Sequence, residues 1–152
     1  MKKFLSLILA LTLLLSVFGV ATAEAPKKVG ISMPTQSLER WNRDGSYLKA
    51  EFEKAGYEAI LTYSDNDAGR QVNDIQNMLA EGVDVLVISA IDAEALNTVM
   101  DEAASLEVPV IAYDRLILND AVTYYVSFDT YTVGKCNGTD VHTKTDGNAR
   151  YQ

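Results

Sequence analysis

Val83-Asp-Val-Leu-Val-Ile-Ser89 is an almost unbroken apolar run of strand length. A strand with one wet face alternates apolar and polar residues, whereas one covered by helices on both faces is apolar throughout. The stretch therefore predicts an interior strand of a parallel sheet. Val108-Pro-Val-Ile-Ala-Tyr-Asp114-Arg115 repeats the pattern and stops abruptly at an acid followed by a base. Val29-Gly-Ile-Ser-Met33 likewise ends at Pro34 before a polar loop, and further strands are predicted over 57–63 and 124–128. The gaps read as helices. Over 38–55, Trp41, Leu48 and Phe52 recur at helical spacing and Gly56 supplies a stop. Val72, Ile75, Met78 and Leu79 give an apolar face over 71–80, ended by Gly82. Leu96, Val99, Met100 and Ala103 do so over 94–106, closed by Pro109. Strict alternation of strand and helix predicts an open, doubly wound, mostly parallel α/β sheet. Its crossovers are right-handed and its ligand site lies outside the carboxyl ends of the strands.

Met1-Lys2-Lys3, an apolar stretch from Phe4 to Val20 and the small residues Ala21-Thr22-Ala23 have the build of an export signal, read as 1–23 with cleavage before Glu24. The other reading of this stretch is a membrane anchor, since about 20 apolar residues span a bilayer. The stretch from Glu24 to Gln152 suffices for one small domain with one core, read as a lobe over 24–128, and leaves no room for two full lobes. The chain of 152 residues carries a net charge of −8, which excludes nucleic acid as a natural partner. Cys136 is the single cysteine, so no internal disulfide supports the fold. The segment 136–152 is polar and aperiodic and predicts a loose or disordered tail. His142 has no cysteine or acidic cluster beside it, so no metal site is expected. Asp65-Asn-Asp67 opens like a calcium loop but has Arg70 where such a loop requires glycine; Asp67 reads instead as a helix cap. No glycine-rich turn follows the first strand and no Gly-x-Ser-x-Gly elbow is present, so no cofactor is expected.

Four loops are predicted to meet at the carboxyl edge: 34–41, 64–70, 90–92 and 114–116. Their carboxylates and guanidinium groups suit a polyhydroxylated ligand, because each can pair with adjacent hydroxyls. Trp41 has the face to stack on a sugar ring, although its spacing with Leu48 and Phe52 is more often that of a core residue. Arg40 reads either as a ligand group or as a solvated helix residue. Asp114-Arg115 reads either as a charged pair presented to a ligand or as a turn with a local ion pair. Carbohydrate is the ligand class this chemistry favours. Abundant acids at the edge also admit a secreted carbohydrate-cleaving enzyme, which would need a pair of carboxylates.

Val29-Gly-Ile-Ser-Met-Pro-Thr-Gln-Ser-Leu-Glu-Arg-Trp41, the run from Gln76 to Ile88, Val110-Ile-Ala-Tyr-Asp-Arg-Leu-Ile117 and Tyr124-Tyr-Val-Ser-Phe-Asp129 together resemble the sugar-binding periplasmic proteins of ABC transporters. The xylose and multiple-sugar branch of the type I periplasmic binding proteins is the nearest in pattern, over about residues 28–135. The resemblance implies a receptor that closes two lobes on a monosaccharide such as xylose, arabinose, glucose or galactose. It would hand the sugar to a membrane permease, and in some settings signal to a chemoreceptor or sensor protein, from the periplasm or the cell exterior. It implies sugar contacts at Arg40 and Trp41, an acid-base pair at Asp114 and Arg115, and a first hinge crossing over 129–135 at Asp129. Thr130 stands there where the family usually has Asn. After Lys135 the pattern departs from the family, which predicts a first lobe without its second. The implied role is binding without catalysis; an inert truncated gene product is the remaining alternative.

Overall fold

The structure, a computed structural model, describes residues 25–144, with the side chains at 130, 137, 138, 141, 142 and 144 excepted. The leader read over 1–23 and the last eight residues of the chain lie outside it. Five strands, β1 (Lys28–Met33), β2 (Glu58–Tyr63), β3 (Val85–Ile88), β4 (Val110–Tyr113) and β5 (Val122–Val126), form one sheet in the order β2-β1-β3-β4-β5. Every pairing is parallel; Ile31, for example, lies between Leu61 and Val87. Helices α1 (Glu39–Lys54), α2 (Ala68–Ala80) and α3 (Asn97–Ser105) are the connections.

Strand alternation divides the core in two. Val29, Ile31, Met33 and Val87 turn toward α1, where Trp41 is buried and Leu48 and Phe52 pack beside it. Leu86, Ile88, Val110 and Ala112 turn the other way, onto Ile75 and Met78 of α2 and Val99 and Met100 of α3. Close packing on this second face sets Gly30, where an added Cβ would come within 2.8 Å of both Leu86 Cδ2 and Met78 Sδ.

The helices end alike. Gly56 N–H donates to Glu53 and Tyr57 N–H to Phe52, a Schellman closure whose apolar clasp is the edge-on contact of the Phe52 and Tyr57 rings, 5.9 Å between centroids. Gly82 and Val83 close α2 onto Leu79 and Met78 in the same way. Both glycines have the positive φ this turn requires, 90° and 73°. Glu107 and Val108 repeat the closure on Ala104 and Ala103 at the end of α3, and there a glutamate takes the left-handed position, φ 57°. Asp67 caps α2 as expected, its Oδ1 accepting from Arg70 N–H at 2.9 Å.

Two expectations are corrected. Helix α3 begins at Asn97 rather than at residue 94, because the Asp92 carboxylate accepts from the N–H groups of Glu94 and Ala95 and holds them in a turn. The segment beyond residue 135 is not a loose tail through residue 144, since a helix, α4, runs Thr130–Lys144. It is started by Asp129, whose carboxylate accepts from Thr132 N–H at 3.0 Å and from the Thr132 hydroxyl at 2.6 Å. The hydroxyls of Thr139 and Thr143 donate to carbonyls one turn back. Local capping and turn-to-turn bonds thus supply what periodicity does not, and the helix lies outside both apolar clusters.

Candidate functional site

The site is built where β4 ends. Asp114 follows Tyr113 with φ 65°, the left-handed region, which aspartate tolerates better than most residues. Its N–H donates to Val126 O at 2.7 Å, and its carbonyl accepts from the Tyr125 hydroxyl at 3.1 Å, so the end of β5 holds the turn. The carboxylate thereby faces the first turn of α1, where Arg40 Nη2 meets Asp114 Oδ1 at 2.5 Å.

Arg40 is held from three sides. Its guanidinium carbon lies 4.7 Å from the centre of the Trp41 ring and 5.1 Å from that of Phe128, a sandwich of cation between two aromatic faces. Its Nε lies 3.7 Å from Asp44 Oδ2, one turn along α1. Asp44 accepts in turn from the Tyr113 hydroxyl at 3.2 Å. Burial, and then the charge and hydrogen bond of Asp44, push the Tyr113 phenol above its ordinary ionisation range. The Arg40 side chain keeps 43% of its exposure and that of Asp114 16%, so the pair forms a ledge open to solvent rather than a sealed ion pair.

Of the expected residues, Arg40, Trp41, Asp114 and Arg115 do gather at this edge, but in a different pairing. The acid at 114 engages Arg40, not Arg115, because the left-handed turn at Asp114 sends the two neighbouring side chains apart. Arg115 Nη1 donates to Ala90 O at 2.8 Å, and its guanidinium lies 5.1 Å from the Trp41 ring centre. Trp41 is 4% exposed, so it is a core residue, and its ring is a floor beneath two guanidinium groups rather than a free platform. Asp129 is occupied as the cap of α4, and its bonds from Thr132 lower its carboxyl below the ordinary range.

The loop 64–70 does not join the ledge. Asp65 pairs with Arg70 at 2.5 Å, and a separate polar cleft at the end of β2 is lined by Gln36, Thr62, Asp65, Arg70 and Asp74. Between the two regions stands Gln71, fully buried. Its amide donates to Ser32 Oγ and Ser89 O, and its carbonyl accepts from Ile91 N–H at 2.8 Å, tying the ends of β1 and β3 to α2. Asp44, Tyr113 and Gln71 are not marked as site residues by the sequence pattern, and Phe128 is marked only beside Asp129 at the hinge crossing. Asp44 was legible as the acid four residues after Arg40 on a helix; Phe128 was read as part of a strand that in fact ends two residues earlier. Among the described residues no group of three or more His, Cys, Asp or Glu is placed to hold a metal ion.

A parallel open sheet with charge and aromatic faces gathered beyond its carboxyl ends is the build of a ligand-binding α/β lobe. The chain belongs to the periplasmic binding protein family: residues 29–151 match the periplasmic binding protein domain. This is a family of solute-binding proteins. The match runs on through the segment beyond Lys135. The chain is 42% identical to the multiple sugar-binding periplasmic receptor ChvE of Rhizobium radiobacter over 137 residues, 88% of this chain and 38% of the receptor. It is 35% identical to the D-xylose-binding periplasmic protein of Haemophilus influenzae over 147 residues, 96% of this chain and 44% of that protein. Its fold superposes with a TM-score of 0.75 on an ABC transporter solute-binding protein from Clostridium phytofermentans crystallised with β-D-glucose, at 44% identity over 82% of this chain and 39% of that one. The chain thus spans well under half the length of these relatives.

Proposed function

We propose that this chain is the sugar-binding N-terminal lobe of an exported solute receptor, residues 24–128, with 129–135 as the first hinge crossing and 1–23 as its export signal. Its ligand is a monosaccharide of the xylose, arabinose, glucose or galactose kind, bound without turnover. A membrane permease of an ABC transporter is its downstream partner, and a chemoreceptor or sensor protein a second one. The observation that carries this reading is the Arg40–Asp114 pair set between Trp41 and Phe128 on an open ledge, in a chain similar to sugar receptors. A carboxylate accepts from one hydroxyl while the guanidinium donates to its neighbour, and each charged partner strengthens the bond it makes. Arg115, braced on Ala90 O, would reach a further hydroxyl. The ledge contacts a ligand from one side, so affinity for a free sugar is expected to be well below that of a receptor that closes from two.

Trp41 is the single tryptophan, and its ring touches both guanidinium groups, so its fluorescence reports on the ledge directly. Titration of the exported chain with the four sugars and a matched linear polyol is expected to give a saturable change with at least one sugar and none with the polyol. A folded chain whose emission is the same in every sugar at high concentration would refute the reading.

A further inference from the structure

Of the charged residues on the ledge, Asp114 alone has a strained backbone. Beyond its φ of 65°, the Arg115 N–H donates across it to Tyr113 O at 2.7 Å. A bond of this span about a residue of positive φ is the rare, strained form of the γ-turn. Such a conformation persists only where its surroundings over-determine it. Here β5 does so. Asp114 N–H donates to Val126 O at 2.7 Å, and the Tyr125 hydroxyl donates to Asp114 O at 3.1 Å. Ser127 Oγ stands 3.5 Å from the same oxygen, at the limit of hydrogen-bonding range.

We infer that Tyr125 is a positioning residue of the sugar site, whose hydroxyl holds the turn that aims the Asp114 carboxylate at Arg40 and at a ligand hydroxyl. The inference rests on the sugar-binding role proposed above. Its geometry is that of a pinned peptide plane. The group linking Asp114 to Arg115 is held at both ends, its N–H by Tyr113 O and its carbonyl by the Tyr125 hydroxyl. Because a peptide group is planar, this fixes the rotation after the Asp114 Cα, while the bond to Val126 O fixes the plane before it. With both planes set, the direction of the Asp114 side chain is set too. It leaves toward Arg40, and its neighbour Arg115 leaves toward Ala90 O. Three residues beyond Tyr125, the Phe128 ring lies 5.1 Å from the Arg40 guanidinium carbon. Residues 125–128 therefore hold both members of the pair, the acid through its carbonyl and the base through its guanidinium.

The test is a double-mutant cycle in the Trp41 fluorescence titration, with xylose, arabinose, glucose and galactose as probes. Tyr125→Phe keeps the ring and removes only the donor, and is expected to weaken binding about fivefold. In an Asp114→Asn background the same change is expected to cost little more, because asparagine keeps the turn but has no charge to aim. Losses that simply add in the double variant would mark Tyr125 as structural support and overturn the inference. Unchanged affinity in Tyr125→Phe would also overturn it, as would an equal loss in Tyr124→Phe, which removes the neighbouring hydroxyl. A second readout needs no sugar. Amide exchange at Asp114 and Arg115 is expected to accelerate about fivefold in Tyr125→Phe, with Ile111 unmoved. Exchange that stays at the parent rate sinks the inference whatever the sugars do. A parent that binds none of the four sugars refutes the functional reading and the positioning role with it, and accelerated exchange would then place the failure in the ligand rather than in the turn.

Discussion

Asp114 joins a strained backbone to a charged contact, and the two can be separated by substitution. Asn keeps the shape and the tolerance for positive φ but removes the charge that holds Arg40. Arg40 is 43% exposed, so the lost pair is expected to change stability by no more than about 1 kcal/mol in urea unfolding. The same variant is expected to weaken sugar binding in the fluorescence titration by tenfold or more, about 1.4 kcal/mol. Tyr113, beside it, gives a pH signature. Its phenol ionises later in the folded chain than in the unfolded one, because burial and Asp44 both oppose the phenolate. The stability it supplies is intact below pH ~10, where both states are neutral, and is lost as pH rises through its raised folded value. Denaturant unfolding across the alkaline range should show a shallower loss of stability in Tyr113→Phe than in the parent. At this scale the sequence disclosed which residues lie at the edge, since a charge after an apolar strand marks the strand's end. It did not disclose who pairs with whom, because the left-handed turn at Asp114 that separates it from Arg115 has no glycine to announce it.

Helix endings show the same limit one level up. Gly56 and Gly82 were readable as stops, and both sit in the left-handed position of a Schellman closure. The third closure uses Glu107, and only Pro109 signalled that a helix had finished. A side chain there opposes the backbone it must adopt, so Glu107→Gly is expected to stabilise the chain by about 0.5–1 kcal/mol, the left-handed cost relieved less the added freedom of the unfolded glycine. A shift in urea midpoint with unchanged slope would register it. Helix α4 was missed for the converse reason. Reading by periodicity detects helices that bury a face, and this one is set by Asp129 and threonine hydroxyls instead.

For the whole molecule the sheet was legible because its strands are buried on both faces, so apolar runs stood out without any alternation to interpret. The tie between α2 and the ends of β1 and β3 was not legible, because it passes through a buried polar residue. Gln71 bonds to Ser32, Ser89 and Ile91 at once. Replacing it with Ala leaves the buried Ser32 hydroxyl and Ser89 carbonyl and the half-buried Ile91 N–H without this partner, so a loss of about 2–4 kcal/mol is expected in chemical unfolding. Amide hydrogen exchange at Ile91 should accelerate in the same variant. The strand order β2-β1-β3-β4-β5 has a further consequence for how such a chain is made. Once β1 and β2 have paired, β3 joins the open flank of β1, β4 joins β3, and β5 joins β4. No strand ever has to be inserted between two neighbours already in place. A polypeptide emerging amino end first, from a ribosome or a translocation channel, can therefore assemble its sheet in order of arrival, each newcomer finding a finished template.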